Sequence, residues 1–457
     1  MAVLRKIVKW LAAALVVLIA AAGFWLWFAP PELIRVGAGY TAKIVCSNVF
    51  LAGRDAAEVQ AVDVQAPGHP LLKLINVAID HEAGVVRAHL LGYAGEGVAV
   101  YRPGTGCASA PDGDVEKAKA FSFDPGDERD PDDSALWPAG ERVDPSQDPE
   151  LAKILEDTDL TGPGMRAVVV VHNGRIIGER YGHGFDPGTP LLGWSMTKTV
   201  TAALLGTLIA DGKLALSDTQ LLPAWDGVNK DIALADMLGM ASGLAWNEGY
   251  GSVSDVTRML YLEPDMAGFA QTHQVETAIS HTFNYSSGTS VLLSRLWQDR
   301  VGDDALRYPH DRLFQPLGMA SATLEADARG AFVGSSYLYA TARDWARFGQ
   351  FLIQDGMWNG RRLLPEGFVA LMSEAHPASN GQYSRAHTWL RAPNEYGAAE
   401  TQLPAGSFWL SGHDGQSVAV IPAKNLVIVR LGLTPSRLGY RAGRLAMAVM
   451  GVVGNSE

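Results

Sequence analysis

The chain is poor in several residue types, and each scarcity narrows what it can do. It has two cysteines in 457 residues, Cys46 and Cys107, both before the long second half, which leaves little support for catalytic cysteine chemistry. Basic residues are outnumbered, 37 against 49 acidic ones, for a net charge of −12. Nucleic acid is therefore excluded as a partner, because binding it needs clustered Lys and Arg to displace counterions. Charged residues make up only 19% of the chain beside 47% hydrophobic ones, an ordinary globular balance that excludes wholesale disorder. No histidine opens an H-E-x-x-H motif: His81-Glu82 meets Val85 where the second histidine would stand, so the metalloprotease reading fails. The same composition excludes collagen-like repeats and a polytopic membrane protein.

One apolar run, Trp10 to Ala29, is uncharged and would span about 30 Å as a helix. Arg5, Lys6 and Lys9 precede it, and positive charge there holds the N-terminus in the cytoplasm while the remainder is exported. Ala20-Ala21-Ala22 offers a signal-peptide cleavage site, the rival reading. Phe24-Trp25-Leu26-Trp27-Phe28 prolongs the apolar stretch with interfacial aromatics, which favours an uncleaved transmembrane anchor. The expected location is the cell envelope, anchored in the inner membrane with the body on the extracytoplasmic side. Export permits a Cys46–Cys107 disulfide, and closing a loop of that size stabilises by about 4 kcal/mol in the chain-entropy model.

Four regions follow from composition: residues 1–29 as anchor or signal, 30–122 as a small strand-rich region, 123–150 as a linker, and 151–457 as the large catalytic-size domain. The linker carries ten acidic residues among five prolines between Asp124 and Glu150, including Asp130-Pro131-Asp132-Asp133, and reads as an exposed connector. Ala167 to His172, Asn173-Gly174 and Arg175 to Arg180 predict a β-hairpin, since Asn-Gly supplies the positive φ angles of a type I′ turn. Ser417 to Pro422 and Leu426 to Leu431 predict a second one. Helices are expected over 197–210, 231–239, 290–300, 342–354 and 437–450. Strands at both ends with helices between them predict an α/β domain whose sheet joins the termini.

Ser195-Met196-Thr197-Lys198 is the single S-x-x-K in the chain. Three residues apart at a helix start, the hydroxyl and the amine share one face, and a buried lysine whose pKa falls can take the serine proton. Tyr285-Ser286-Ser287 stands before another helical pattern. A phenol near a lysine ammonium is expected to have a lowered pKa and to serve as proton acceptor. His413-Asp414-Gly415-Gln416 precedes the C-terminal hairpin, where glycine allows a substrate close to the strand edge.

In this order the three segments resemble the serine β-lactamase and penicillin-binding superfamily, whose pattern is S-x-x-K, then Y-x-N, then K-T-G or a substitute. Met240-Ala241-Ser242-Gly243-Leu244, Leu313 to Met319 and Gly334 to Asp344 extend the similarity to the class C β-lactamase-type hydrolases over roughly residues 150–450. Within that group the chain looks most like the 6-aminohexanoate-dimer hydrolases and related esterases. The resemblance implies an antiparallel sheet flanked by helices plus a mostly helical subdomain. It implies Ser195 as nucleophile, Lys198 and Tyr285 as the proton-transfer pair, and the backbone N–H groups of Ser195 and Gln416 as oxyanion hole, with Gly415 beside it. Tyr250, in Glu248-Gly249-Tyr250, matches a substrate-contacting tyrosine of those hydrolases. No cofactor and no metal are implied.

Two departures bear on the substrate. Ser287 stands where asparagine is usual, removing an amide that would both donate and accept hydrogen bonds. His413 replaces a lysine or arginine, exchanging a permanent cation for an imidazole and weakening any hold on a substrate carboxylate. The expectation is a serine hydrolase of small amides or esters. The alternatives are a D-Ala-D-Ala carboxypeptidase or class C-like β-lactamase and, from another class, a non-catalytic sensor with the same fold.

Overall fold

A computed structural model describes residues 1–126, 134–393 and 403–453. The acidic cluster Asp130-Pro131-Asp132-Asp133 lies outside the described residues. The apolar N-terminal segment is one helix, α1 (Ala2–Phe28), followed after a short break by α2 (Glu32–Phe50). Four antiparallel strands come next, β1 (Ile75–Asp80), β2 (Val85–Leu90), β3 (Ala94–Arg102) and β4 (Gly106–Ser109), forming a sheet in that order. Helix α2 was not expected from the sequence. It packs across this sheet and against a helix of the second half, Asp255–Leu262. The approach is close enough that a Cβ on Gly97 of β3 would stand 2.2 Å from the Ala38 carbonyl carbon. Cys46 of α2 is bonded to Cys107 of β4.

The two hairpins read from the sequence supply four of the five strands of the larger sheet. β5 (Met165–His172) and β6 (Arg175–Tyr181) join the C-terminal strands Phe408–Gly412, Gln416–Ile421 and Leu426–Gly432. The order is Phe408–Gly412, Gln416–Ile421, Leu426–Gly432, β5, β6, antiparallel throughout. Side chains alternate across a strand, and here both faces are covered, so β5 reads as an unbroken apolar run. Val169 and Val171 pack with Trp345 and Phe348 on one face, while Val168 and Val170 pack with Leu151, Leu445 and Val449 on the other. The covering helices are Ala342–Ile353 on the first face and Pro149–Glu156 with Ala442–Val453 on the second.

Part of the expected exposed connector is anchored. Trp137 is buried, and Arg347 donates to the carbonyls of Pro138 and Gly140 at 3.1 and 2.9 Å. Glu141 pairs with both Arg343 and Arg347. One carboxylate of this stretch, Glu141, thus meets a basic helix face, while Asp124, Asp144 and Glu150 are exposed.

Candidate active site

The chain enters the site from a short strand, Leu191–Leu192, paired with Leu338–Ala340. A 3-10 turn, Trp194–Met196, then runs straight into the helix Thr197–Ala210. Trp194 has φ +48°, a conformation bulky residues avoid unless their surroundings impose it. Its ring is held against Tyr337 and His413, centroids 6.0 and 5.6 Å away. The strained turn presents Ser195, half-buried, at the mouth of the helix. Lys198, one turn in, is fully buried.

Lys198 Nζ lies 3.3 Å from Ser195 Oγ, 3.0 Å from Ser287 Oγ and 3.0 Å from the Ser335 carbonyl oxygen. Burial pulls its pKa down to about 8, opposed by the Glu248 carboxylate. The Tyr285 ring lies 4.7 Å from the same Nζ and 5.1 Å from the Trp389 ring, centroid to centroid. The three side chains read from the sequence therefore share one cluster. The expected lowering of the Tyr285 pKa does not occur. Burial raises it, with Glu248 adding to the rise, and these outweigh the lowering influence of Ser195 and Trp389.

Ser287 links Lys198 to a residue the sequence reading passed over. Its Oγ donates to Glu248 Oε1 at 2.5 Å and its N–H to Oε2 at 2.8 Å. The Trp246 indole N–H donates to the same Oε2 at 2.6 Å. Ser287 is thus spent on holding a carboxylate near the amine. Glu248 was visible only as the first residue of the Glu248-Gly249-Tyr250 match. Trp389, against Tyr285 at 5.1 Å, had no sequence signal.

Tyr250 closes the other side. Its ring stacks on His413 with centroids 5.1 Å apart. His413 itself is exposed, clasped between Tyr250 and Trp194. The strands on either side of His413 touch the Trp194–Met196 turn. A Cβ on Gly412 would stand 2.2 Å from the Gly193 carbonyl oxygen, so only glycine permits this approach. Gln416 opens its strand with a side chain turned away from the site. Its Nε2 donates to the Gly432 carbonyl at 2.5 Å, and its Oε1 accepts from the Gly432 N–H at 2.8 Å. Gly415 has φ +84° and its carbonyl accepts from Arg430 at 3.0 Å. Among the described residues, no group of three His, Cys, Asp or Glu side chains is placed to hold a metal ion.

The beta-lactamase family model matches residues 155–444. The 6-aminohexanoate-dimer hydrolase of Paenarthrobacter ureafaciens is 24% identical over 314 residues, covering 63% of this chain and 76% of that protein. A Bacillus anthracis structure provisionally named a 6-aminohexanoate-dimer hydrolase superposes with a TM-score of 0.55 at 21% identity, over 67% of this chain and 82% of its own. A penicillin binding protein from Bacillus halodurans gives 0.51 at 17%, over 66% and 99%. These structural likenesses speak to the fold. With the family match spanning more than half its length, the chain belongs to the beta-lactamase family of serine hydrolases.

Proposed function

We propose that the protein hydrolyses amides or esters through an acyl-enzyme on Ser195, from an extracytoplasmic position held by an uncleaved α1. The observation that carries the reading is the buried Lys198 amine, 3.3 Å from Ser195 Oγ and lowered to a pKa of about 8. An amine so placed is neutral in a useful fraction at physiological pH and takes the serine proton as Oγ attacks the carbonyl carbon. The backbone N–H groups of Ser195 and Gln416 hold the oxyanion, where losing one donor typically costs about 2.7 to 4 kcal/mol. The bond to the leaving amine or alcohol then breaks, and the proton on Lys198 passes to it through the Tyr285 hydroxyl. Water next attacks the Ser195 ester, its proton passing through Tyr285 to Lys198; the acyl–Oγ bond breaks, Lys198 returns that proton to Oγ, and the acid leaves. Tyr285 works as a neutral relay, consistent with its raised pKa.

Linear amides and esters fit better than penicillins or D-Ala-D-Ala peptides. Ser287 is engaged by Lys198 and Glu248, and His413 brings an imidazole clasped by two rings where a carboxylate-binding cation would stand. The test is labelling with a fluorophosphonate and with a fluorescent penicillin. The account expects phosphonate labelling that vanishes in Ser195→Ala and no penicillin adduct. Penicillin labelling would instead favour the peptidase or β-lactamase alternative, and no Ser195-dependent adduct with any acyl donor would favour the sensor.

A further inference from the structure

A cavity of about 360 Å³ opens beside the site, between α2 and the turn that follows the last strand of the large sheet. Its catalytic end is formed by Trp194, Tyr250 and His413, the same three rings that border the Ser195 cluster. Away from them the wall is mixed but mainly apolar: Leu33, Val36, Leu72, Ile75 and Leu90 stand beside Tyr40, Thr257 and Tyr261. Of its charged lining residues, Asp414 stands at the catalytic end next to His413, and Arg437 is exposed. Most of these apolar side chains are buried in the protein yet face empty volume, forgoing contacts that an apolar occupant would restore.

The far end of the cavity meets the surface where α1 leaves the body. Leu33, at its rim, follows closely on Phe28, the last residue of α1. α1 packs on β3, with Gly23 beside the Tyr93 hydroxyl. Around that junction Leu74, Leu91 and Tyr93 are 48%, 53% and 43% exposed, and the Leu91 N–H donates to the Leu74 carbonyl at 2.8 Å. An apolar patch at the foot of an apolar helix of this length is suited to face a bilayer.

We propose that the cavity receives the acyl chain of the substrate, so that the protein acts on esters or amides of medium-chain acids drawn from the membrane side. This rests on the hydrolase reading given above. If each methylene takes about the volume of a water, ~30 Å³, the space holds a chain of roughly a dozen carbons. Each buried methylene contributes up to about a fourfold gain in binding.

The test uses the full chain in detergent and in phosphatidylcholine vesicles, with p-nitrophenyl esters from acetate to dodecanoate. The expected result is a kcat/KM that climbs on the order of a hundredfold or more from acetate to decanoate. Two variants narrow the cavity, Leu72→Trp from within and Ser436→Trp from the exposed rim, with circular dichroism checking the fold. In the folded variants the decanoate-to-acetate ratio should fall at least about tenfold. Faster turnover of vesicle-borne ester than of dissolved ester supports a lipid source. A flat chain-length profile with acetate hydrolysis still dependent on Ser195 overturns the cavity assignment alone, as does an unchanged ratio in folded variants. Absence of any Ser195-dependent turnover overturns the hydrolase reading, and this proposal with it.

Discussion

Lys198 has to lose a proton before it can accept one, and its surroundings set the pH at which it does so. Burial favours the neutral amine, while the Glu248 carboxylate, joined to it through Ser287, favours the charged one. The balance places its pKa at about 8, so kcat/KM should rise with pH through a limb centred near 8. Removing the carboxylate charge in Glu248→Gln removes the one opposing influence and leaves desolvation. The limb should therefore move to lower pH, read from kcat/KM against pH for a p-nitrophenyl ester. A limb that stays in place or moves upward would separate Glu248 from the amine. Ser195 and Lys198 were legible because a short fixed spacing at a helix start constrains them locally, and Tyr285 because the order of the motifs resembles a known family. Glu248 and Trp389 were not, since their roles arise from contacts 39 and 104 positions away in sequence, from Ser287 and Tyr285 respectively.

Helix α2 joins the N-terminal region to the body through buried charge. Lys43 Nζ lies 2.5 Å from Glu325 Oε2, and both side chains are out of reach of solvent. The same carboxylate accepts from Ser47 at 2.8 Å and from the Cys107 N–H at 2.7 Å. Breaking a buried pair by removing one partner typically costs about 3 to 5 kcal/mol, because the other charge is left stranded. Lys43→Met should lower stability by about that much, measured by urea unfolding of the full chain in detergent. Lys43→Met combined with Glu325→Gln should cost less than the two changes summed. Additive losses would deny the coupling. The hairpins were readable because short apolar runs rich in valine, each bounded by turn residues such as Asn173-Gly174, specify them locally. α2 was not, because Gly37, Gly39 and several β-branched residues give it weak helix propensity. Those glycines serve packing: a Cβ on Gly39 would stand 3.0 Å from the Tyr261 carbonyl oxygen, so tertiary contacts decide the helix.

At the scale of the whole molecule, the apolar core is continuous from Val36 and Leu72 through Leu260 to Val429, so the region after α1 is packed onto the body that carries the site. α1 has the length and hydropathy to cross a bilayer, and apart from its C-terminal end, which packs on β3, its described side chains are exposed. If it is an uncleaved anchor, the full chain should stay with membranes after alkaline carbonate washing and retain its first residues by mass spectrometry. A washed-off chain beginning after Ala22 would establish a cleaved signal instead. The core claim is that one water-accessible cluster turns Ser195 into an acyl carrier, and it is met most directly by rapid acid quenching during turnover of p-nitrophenyl acetate, followed by peptide mass spectrometry. The account predicts an acetyl group on the peptide that contains Ser195, accumulating faster above pH 8 than below it. Turnover with the acetyl group on another residue, or with none on Ser195, would contradict it.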